Sequence, residues 1–363
     1  MALIFIVILI ALVFEYINGF HDSANSIATV VATKVLTPRQ AVLLSACTNL
    51  VGALIGTAVA TTIAQGLIDQ RIASQKVLIC ALLGAVVWNL VTWRAGLPSS
   101  SSHALIGGLV GAAVAAAGNF SVVIWSQPDS THWWLSQGLL WKVIVPMVAS
   151  PLAGFVLGLS IMGLLYALLR NWKPHTVNLV FGKAQIVSAA GMGLMHGTND
   201  AQKTMGIIAL ALASGTTTGR LANLPHWLSF LQVAAPKPGT NLTIALWIKI
   251  TCALAMAAGT AAGGWRIIRT MGHKMVRLHP VNGFAAETSS AAVIGLASHF
   301  GFPVSTTHNI SAAIMGVGAA KRFSALRWTI VERMIWAWLL TIPISGAIAY
   351  GFMRLLRFVG AVE

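Results

Sequence analysis

Residues 193–206 read "GLMHGTNDAQKTMG", and residues 18–28 read "NGFHDSANSIA". The first places an aspartate, Asp200, and a lysine, Lys203, in a run that is otherwise apolar or small. The two stretches align, with Gly19 on Gly197, Asp22 on Asp200 and Asn25 on Lys203. A second pair follows in the same order. "LPSSSSHALIGGLVGAA" (97–113) aligns with "FPVSTTHNISAAIMGVGAA" (302–320) across a small gap, so Pro98, Ser100 and His103 match Pro303, Ser305 and His308. Two motifs recurring in one order indicate that a half-protein was duplicated.

The surroundings of these motifs set the class. The 363 residues are 57% hydrophobic and 9% charged, with a mean hydropathy of +0.80. A soluble domain carries roughly 25% charged residues, so this chain cannot cover a water-facing surface. Ten apolar spans are expected, near 2–20, 41–63, 77–95, 103–118, 141–169, 185–212, 243–265, 285–300, 307–320 and 331–357. Several approach the ~20 residues that cross a bilayer as helix. The fold class is an all-α polytopic membrane protein. The N-terminal run has no basic leader and no small-residue cleavage site, and is expected as a retained first helix. The cysteines (Cys47, Cys80, Cys252) lie in apolar runs without metal spacing. No cofactor is expected.

Each half then holds about five spans: residues 1–170 and 185–363, joined by a basic cytoplasmic linker, 171–184. Five is odd, so the second copy enters the membrane from the opposite side. This inverted-topology repeat, with discontinuous helices or re-entrant hairpins at a midplane site, is common in secondary transporters. With both termini outside, fourteen Lys/Arg fall in cytoplasmic segments and seven in outer ones, as the positive-inside rule requires. That rule also accounts for the net charge of +15. Nucleic acid is not expected as a partner, and the plasma (inner) membrane is the expected location. The outer loops 120–137 and 216–241 carry Trp residues that suit an interface.

A carboxylate at the bilayer centre costs ~3 kcal/mol or more, so it faces a partner or an aqueous path. Of eight acids, Glu15, Asp22, Asp200 and Glu287 lie in or beside spans. Asp22 and Asp200 fit either a helix cap at a break or a shared cation or substrate site, and their duplicated placement favours the site. Glu287 heads the span before the second serine motif, where the helix dipole could also hold it. Glu15 lies about two turns before Asp22 on the same face. Each proline stops the preceding helix and a new one starts after it. Free amides and hydroxyls there suit an oxyanion. Ser100, Ser101, Ser102, Ser305, Thr306 and Thr307 supply uncharged donors, and N-capping is the alternative. His103 and His308 either bond a carbonyl or handle protons. His21 and His196 flank the first motif pair with no spacing that compels a metal.

These motifs resemble the signatures of the inorganic phosphate transporter family (Pit/PiT, solute carrier 20), over essentially the whole chain. The resemblance implies cation-coupled uptake of inorganic phosphate by alternating access. It implies phosphate at Ser100–Ser102 and Ser305–Thr307, and functional roles for Asp22, Asp200 and Glu287; Asn25, paired with Lys203 by the repeat, and the titratable His103 and His308 are further candidates for coupling. Glu287 matches a family glutamate, whereas the first half has Leu82 at the equivalent place. The linker is short, as in a compact bacterial form. Sodium-coupled relatives are similar to "ND-x-x-N" in both halves, but here the second half has Lys203. An ammonium there is expected to replace a sodium ion, neutralise Asp200 and attract phosphate. Protons then remain as the driving ion, as in the bacterial proton-coupled branch. That branch implies phosphate carried as a neutral divalent metal complex, with the metal near Asp22 and Asp200. Snorkelling of Lys203 to an interface is the alternative. A sodium-coupled symporter, a permease for sulfate or another tetrahedral oxyanion, and a passive channel remain open, as does a homodimer. A membrane hydrolase using Ser102, His103 and an aspartate lacks a nucleophile-elbow pattern, so no enzyme activity is expected.

Overall fold

The computed structural model describes residues 1–129, 132, 136–222, 224–233 and 244–360, apart from the side chains at 273 and 274. Parts of both expected outer loops, including Trp133, Trp134 and Lys237, lie outside the described residues.

Helix dominates because lipid cannot satisfy backbone polar groups, and a helix satisfies them internally. The first half comprises α1 (Ala2–Asp22), α2 (Ala24–Ala32), α3 (Pro38–Ala53), α4 (Ala58–Gln65), α5 (Gln75–Ala95) and α6 (Ser101–Ala117). It continues into α7 (Val145–Leu169), entered through a π-helical turn, Leu140–Ile144. The second half comprises α8 (Pro174–Thr217), α9 (Leu246–Ala262), α10 (Trp265–Arg269), α11 (Pro280–His299), α12 (Thr306–Lys321) and α13 (Trp328–Phe358). Local chemistry sets the ends. Thr37 and Gln40 form a capping box on α3, with Pro38 in its first turn. Gly96 closes α5 in the left-handed region at φ 65°, where a side chain would be strained.

All ten expected apolar segments are helical, but they are not ten equivalent spans. Among the described residues, five helices are long and apolar enough to cross a membrane, and up to seven if two bent pairs each count as one span. The bent pairs occupy the same place in each half: α3 with α4 at 68°, and α9 with the stretch Trp265–Gly272 at 58°. The shorter helices α6 and α12, of 17 and 16 residues, end helical hairpins with α5 and α11. Most of the expected linker, residues 174–184, forms the first turns of α8.

The expected break at both aspartates is found only once. Asp22 ends α1, and Ser23 separates it from α2. Asp200 lies inside an uninterrupted 44-residue helix. The sequence around Asp200 contains no proline, and every backbone amide there keeps its helical partner. Glu287 is likewise two turns inside α11 rather than at its start, because α11 begins at Pro280. The dipole of that first turn therefore does not explain its burial.

The repeated glycines have a packing reason. A Cβ on Gly19 would strike the Met256 carbonyl, and one on Gly259 the Tyr16 carbonyl, where α1 crosses α9. Gly197 and Gly52 make the same close crossing between α8 and α3, against the Asn49 and Leu194 carbonyls. Small residues let the helices approach without the hydrophobic drive that water would supply.

Two apolar cores result, and each mixes the halves. One gathers α1, α4, α5 and α6 with the end of α8, α9 and the end of α13. The other gathers α2, α7, the start of α8 and α10–α12 with the start of α13. The outer faces of α1, α7 and α13 expose Phe5, Leu9, Leu152, Leu164, Trp336 and Leu339. Apolar belts of this size face lipid rather than water. The chain is a multi-pass membrane protein.

Candidate functional site

The site lies where the two hairpin tips meet α1, α2 and α8. Ser100 caps α6 by accepting from the His103 amide at 3.1 Å, and Ser305 caps α12 by accepting from the His308 amide at 3.1 Å. Among the six hydroxyl residues expected to face phosphate, these two are thus engaged as caps. Ser305→Ala is expected to cost about 1 kcal/mol of stability, measured as a lowered unfolding temperature in detergent with phosphate affinity little changed. Unchanged stability with lost phosphate binding would instead make that hydroxyl a ligand.

Capping fixes the next two residues of each tip, and these reach the aspartates. Thr306 donates to Asp200 Oδ2 at 2.9 Å, and Thr307 donates to Asp22 Oδ1 at 3.3 Å. Asn25 Nδ2 donates to both threonine hydroxyls at 3.0 Å. On the other tip, Ser101 lies 3.4 Å from His21 Nδ1, which is 2.7 Å from Asp22. Ser102 accepts a bond from Lys203. Lys203 is ion-paired with Asp200 on the same helix face, and its Nζ also donates to the Val304 carbonyl at 3.0 Å. It does not snorkel, since it is only 2% exposed. Each hairpin tip therefore touches both aspartates, directly or through one residue.

A buried ion pair is held by geometry and by added hydrogen bonds, not by charge attraction alone. Asp200 receives Lys203 and Thr306, with His196 Nε2 3.0 Å away. Asp22, His196 and Asp200 present ligand atoms within 4.8 Å of one another. One imidazole with two carboxylates can take a cation.

Other expected residues are placed elsewhere. Glu287 accepts bonds from Thr29 and Ser188, and from Gln185 Nε2 at 3.2 Å. Ser188 precedes Asp200 by twelve residues on α8, about 18 Å along the axis, so Glu287 forms a separate cluster. His103 and His308 do meet, edge to face with centroids 4.8 Å apart, and His308 stacks on Trp338 at 4.3 Å. Neither His103 nitrogen finds a hydrogen-bond partner, and neither does His308 Nε2. The pair forms the aromatic seam behind the tips rather than a link to the aspartates.

Several residues escaped notice in the sequence. Asn49 binds Thr260 at 3.1 Å and His196 Nδ1 at 3.1 Å, orienting that ring toward Asp200. Gln202 accepts from the Val59 amide at 2.9 Å and so closes the start of α4. Thr204 donates to Glu15, whose other oxygen has no partner. Polar residues inside apolar runs were the available signal.

A model of the "Phosphate transporter family" matches residues 18–349. The chain belongs to that family. Relatives named "Probable low-affinity inorganic phosphate transporter" include one from Mycobacterium bovis, 44% identical over 99% of this chain and 78% of its own length. Others come from Rhizobium meliloti, 45% identical over 94% of this chain and 93% of its own, and Bacillus subtilis, 40% identical over 97% of both. The fold is similar to a solved structure titled "The sodium-dependent phosphate transporter", with a TM-score of 0.76, 22% identity, and 99% and 100% of the two chains covered.

Proposed function

We propose that this member of the phosphate transporter family imports inorganic phosphate by proton-coupled alternating access in the plasma membrane, with both termini outside. The observation that carries the coupling is Lys203, whose ammonium joins Asp200 to Ser102 of the opposite half. The pseudo-equivalent Asn25 has no charge and bonds Thr306 and Thr307 instead.

Hydroxyl chemistry supplies the coupling step. A threonine hydroxyl has one proton to donate. In this structure Thr306 and Thr307 give theirs to Asp200 and Asp22. A phosphate ion at the hairpin tips competes for the same protons. When it wins, each buried carboxylate loses a donor, which is costly unless a proton or cation replaces it. Lys203 keeps Asp200 compensated by a fixed charge, whereas Asp22 keeps only the His21 imidazole, 2.7 Å away, so Asp22 with His21 is the place for the coupling proton. Ser101, Ser102, the free amides at the starts of α6 and α12, and Lys203 complete the anion's shell. A divalent metal carried with phosphate as cargo would lie at Asp22, His196 and Asp200.

The second reading is sodium coupling. It is favoured by the Asp22–His196–Asp200 cluster and by the sodium dependence in the similar structure's title. Proteoliposomes separate the two. Labelled phosphate uptake is expected to accelerate when the outside is made acidic, and to ignore an imposed sodium gradient. Sodium-dependent uptake by the unaltered protein would overturn proton coupling. Excess sulfate that competes fully would point to a broader oxyanion site.

A further inference from the structure

At one end of the bundle, away from the aspartates, a cavity of about 560 Å³ opens between α7, α11, α12 and the start of α13. Arg277, His279, Lys321, Arg322 and Arg327 line it, with Tyr166 at its edge. All five cationic or titratable side chains are exposed. No acidic residue is among the lining residues, and none of the ion pairs in the described residues involves these five.

The backbone adds to this field. His279 and Arg327 are the N-caps of α11 and α13, helices of 20 and 31 residues. Their positive dipole ends therefore open into the cavity. The C-terminus of α12 ends there too and contributes the opposite sign, which Lys321 in its last turn suffices to balance. Arg277, Arg322 and Arg327 have no such local task.

The positive-inside rule explains cations in these loops, but not their convergence on one concavity free of acids. A second cavity, between the end of α4 and the segment after α6, carries both signs, Asp69 and Arg71, on the face where the positive-inside rule places fewer cations.

We infer that this pocket binds the phosphate headgroup of an anionic phospholipid. Planar guanidinium groups match phosphate oxygens in pairs, and basic pockets between transmembrane helices suit anionic lipid headgroups. A lipid is favoured over a free phosphate by size and neighbourhood. The cavity is far larger than inorganic phosphate. Half-exposed Tyr166 at the cavity edge and exposed Trp328, which follows Arg327, give acyl chains an apolar surface. The occupant would tie the ends of α11 and α12, the two helices that carry Glu287 and Thr306–Thr307.

Native mass spectrometry of the purified protein tests this, titrating phosphatidylglycerol against phosphatidylcholine. The unaltered protein is expected to retain the anionic lipid at least about tenfold more tightly than the zwitterionic one, and more weakly as salt rises. A triple variant, Arg277→Glu with Arg322→Glu and Arg327→Glu, is expected to lose that preference, while the three Arg→Lys changes keep part of it. Phosphate uptake by the triple variant in anionic vesicles serves as the check on folding. Delipidated protein forms the second arm. Thermal stabilisation by inorganic phosphate that survives Thr306→Ala and Thr307→Ala but is lost in the triple variant assigns the pocket to free phosphate. Equal lipid retention by the unaltered and triple-variant proteins, with no phosphate effect traceable to the three arginines, overturns the proposal.

Discussion

Lys203→Ala is expected to lower the initial rate of phosphate uptake by about 100-fold or more. The change removes the ammonium from Asp200 and leaves that carboxylate buried with Thr306 and His196 Nε2 as its neighbours, neither of them a fixed charge. Removing one partner of a buried pair costs about 3–5 kcal/mol, and 100-fold corresponds to about 2.7 kcal/mol. The tie from α8 to Ser102 and to the Val304 carbonyl is lost as well. Uptake in proteoliposomes measures the rate, and size-exclusion profiles measure folding. Adding Asp200→Asn to Lys203→Ala removes the uncompensated charge. The double variant is therefore expected to recover its folded yield but not its transport. Normal uptake by Lys203→Ala alone would refute the tethered-cation role.

Asp22→Asn is expected to separate transport from folding. The side chain keeps its shape and one acceptor oxygen, so Thr307 retains a partner, while the group that would take up the proton is gone. Net uptake driven by an acid-outside gradient is expected to fall about 100-fold. Exchange of internal for external phosphate, which needs no net proton movement, is expected to fall much less. A protein with Asp22→Asn whose uptake still follows the proton gradient at near the unaltered rate would place coupling elsewhere. Glu287, in its own cluster of Thr29, Ser188 and Gln185, would then be the next residue to change.

Much of the candidate site was legible because charge in an apolar run is expensive and therefore conspicuous. Asp22, Asp200 and Lys203 stand out on that ground alone, and the duplicated Pro-Ser/Thr-His segments mark two helix starts. The roles within those segments were less legible. Ser100 and Ser305 look like their neighbours in sequence, but the cap geometry takes up their oxygens and leaves the next two positions to face the aspartates. Asn49 and Gln202 were missed because a single amide in a helix carries no pattern, and its task depends on what packs opposite. The expected helix break at Asp200 failed for a related reason. A repeat implies equivalent positions, not equal backbone, and α8 has no residue that interrupts its hydrogen bonding.

The sequence by itself determined the membrane class, the two recurring motif pairs and the short roster of residues that can carry charge or donate to an anion. Lipid makes those features costly or periodic, so they show without coordinates. Tertiary structure decided the pairings. Lys203 meets Ser102, 101 residues earlier, and Asn25 meets Thr306, 281 residues later. It also decided that α7 and α13 complete cores drawn from both halves. Such contacts depend on how helices cross, and crossing is set by small-residue packing between segments distant in the chain.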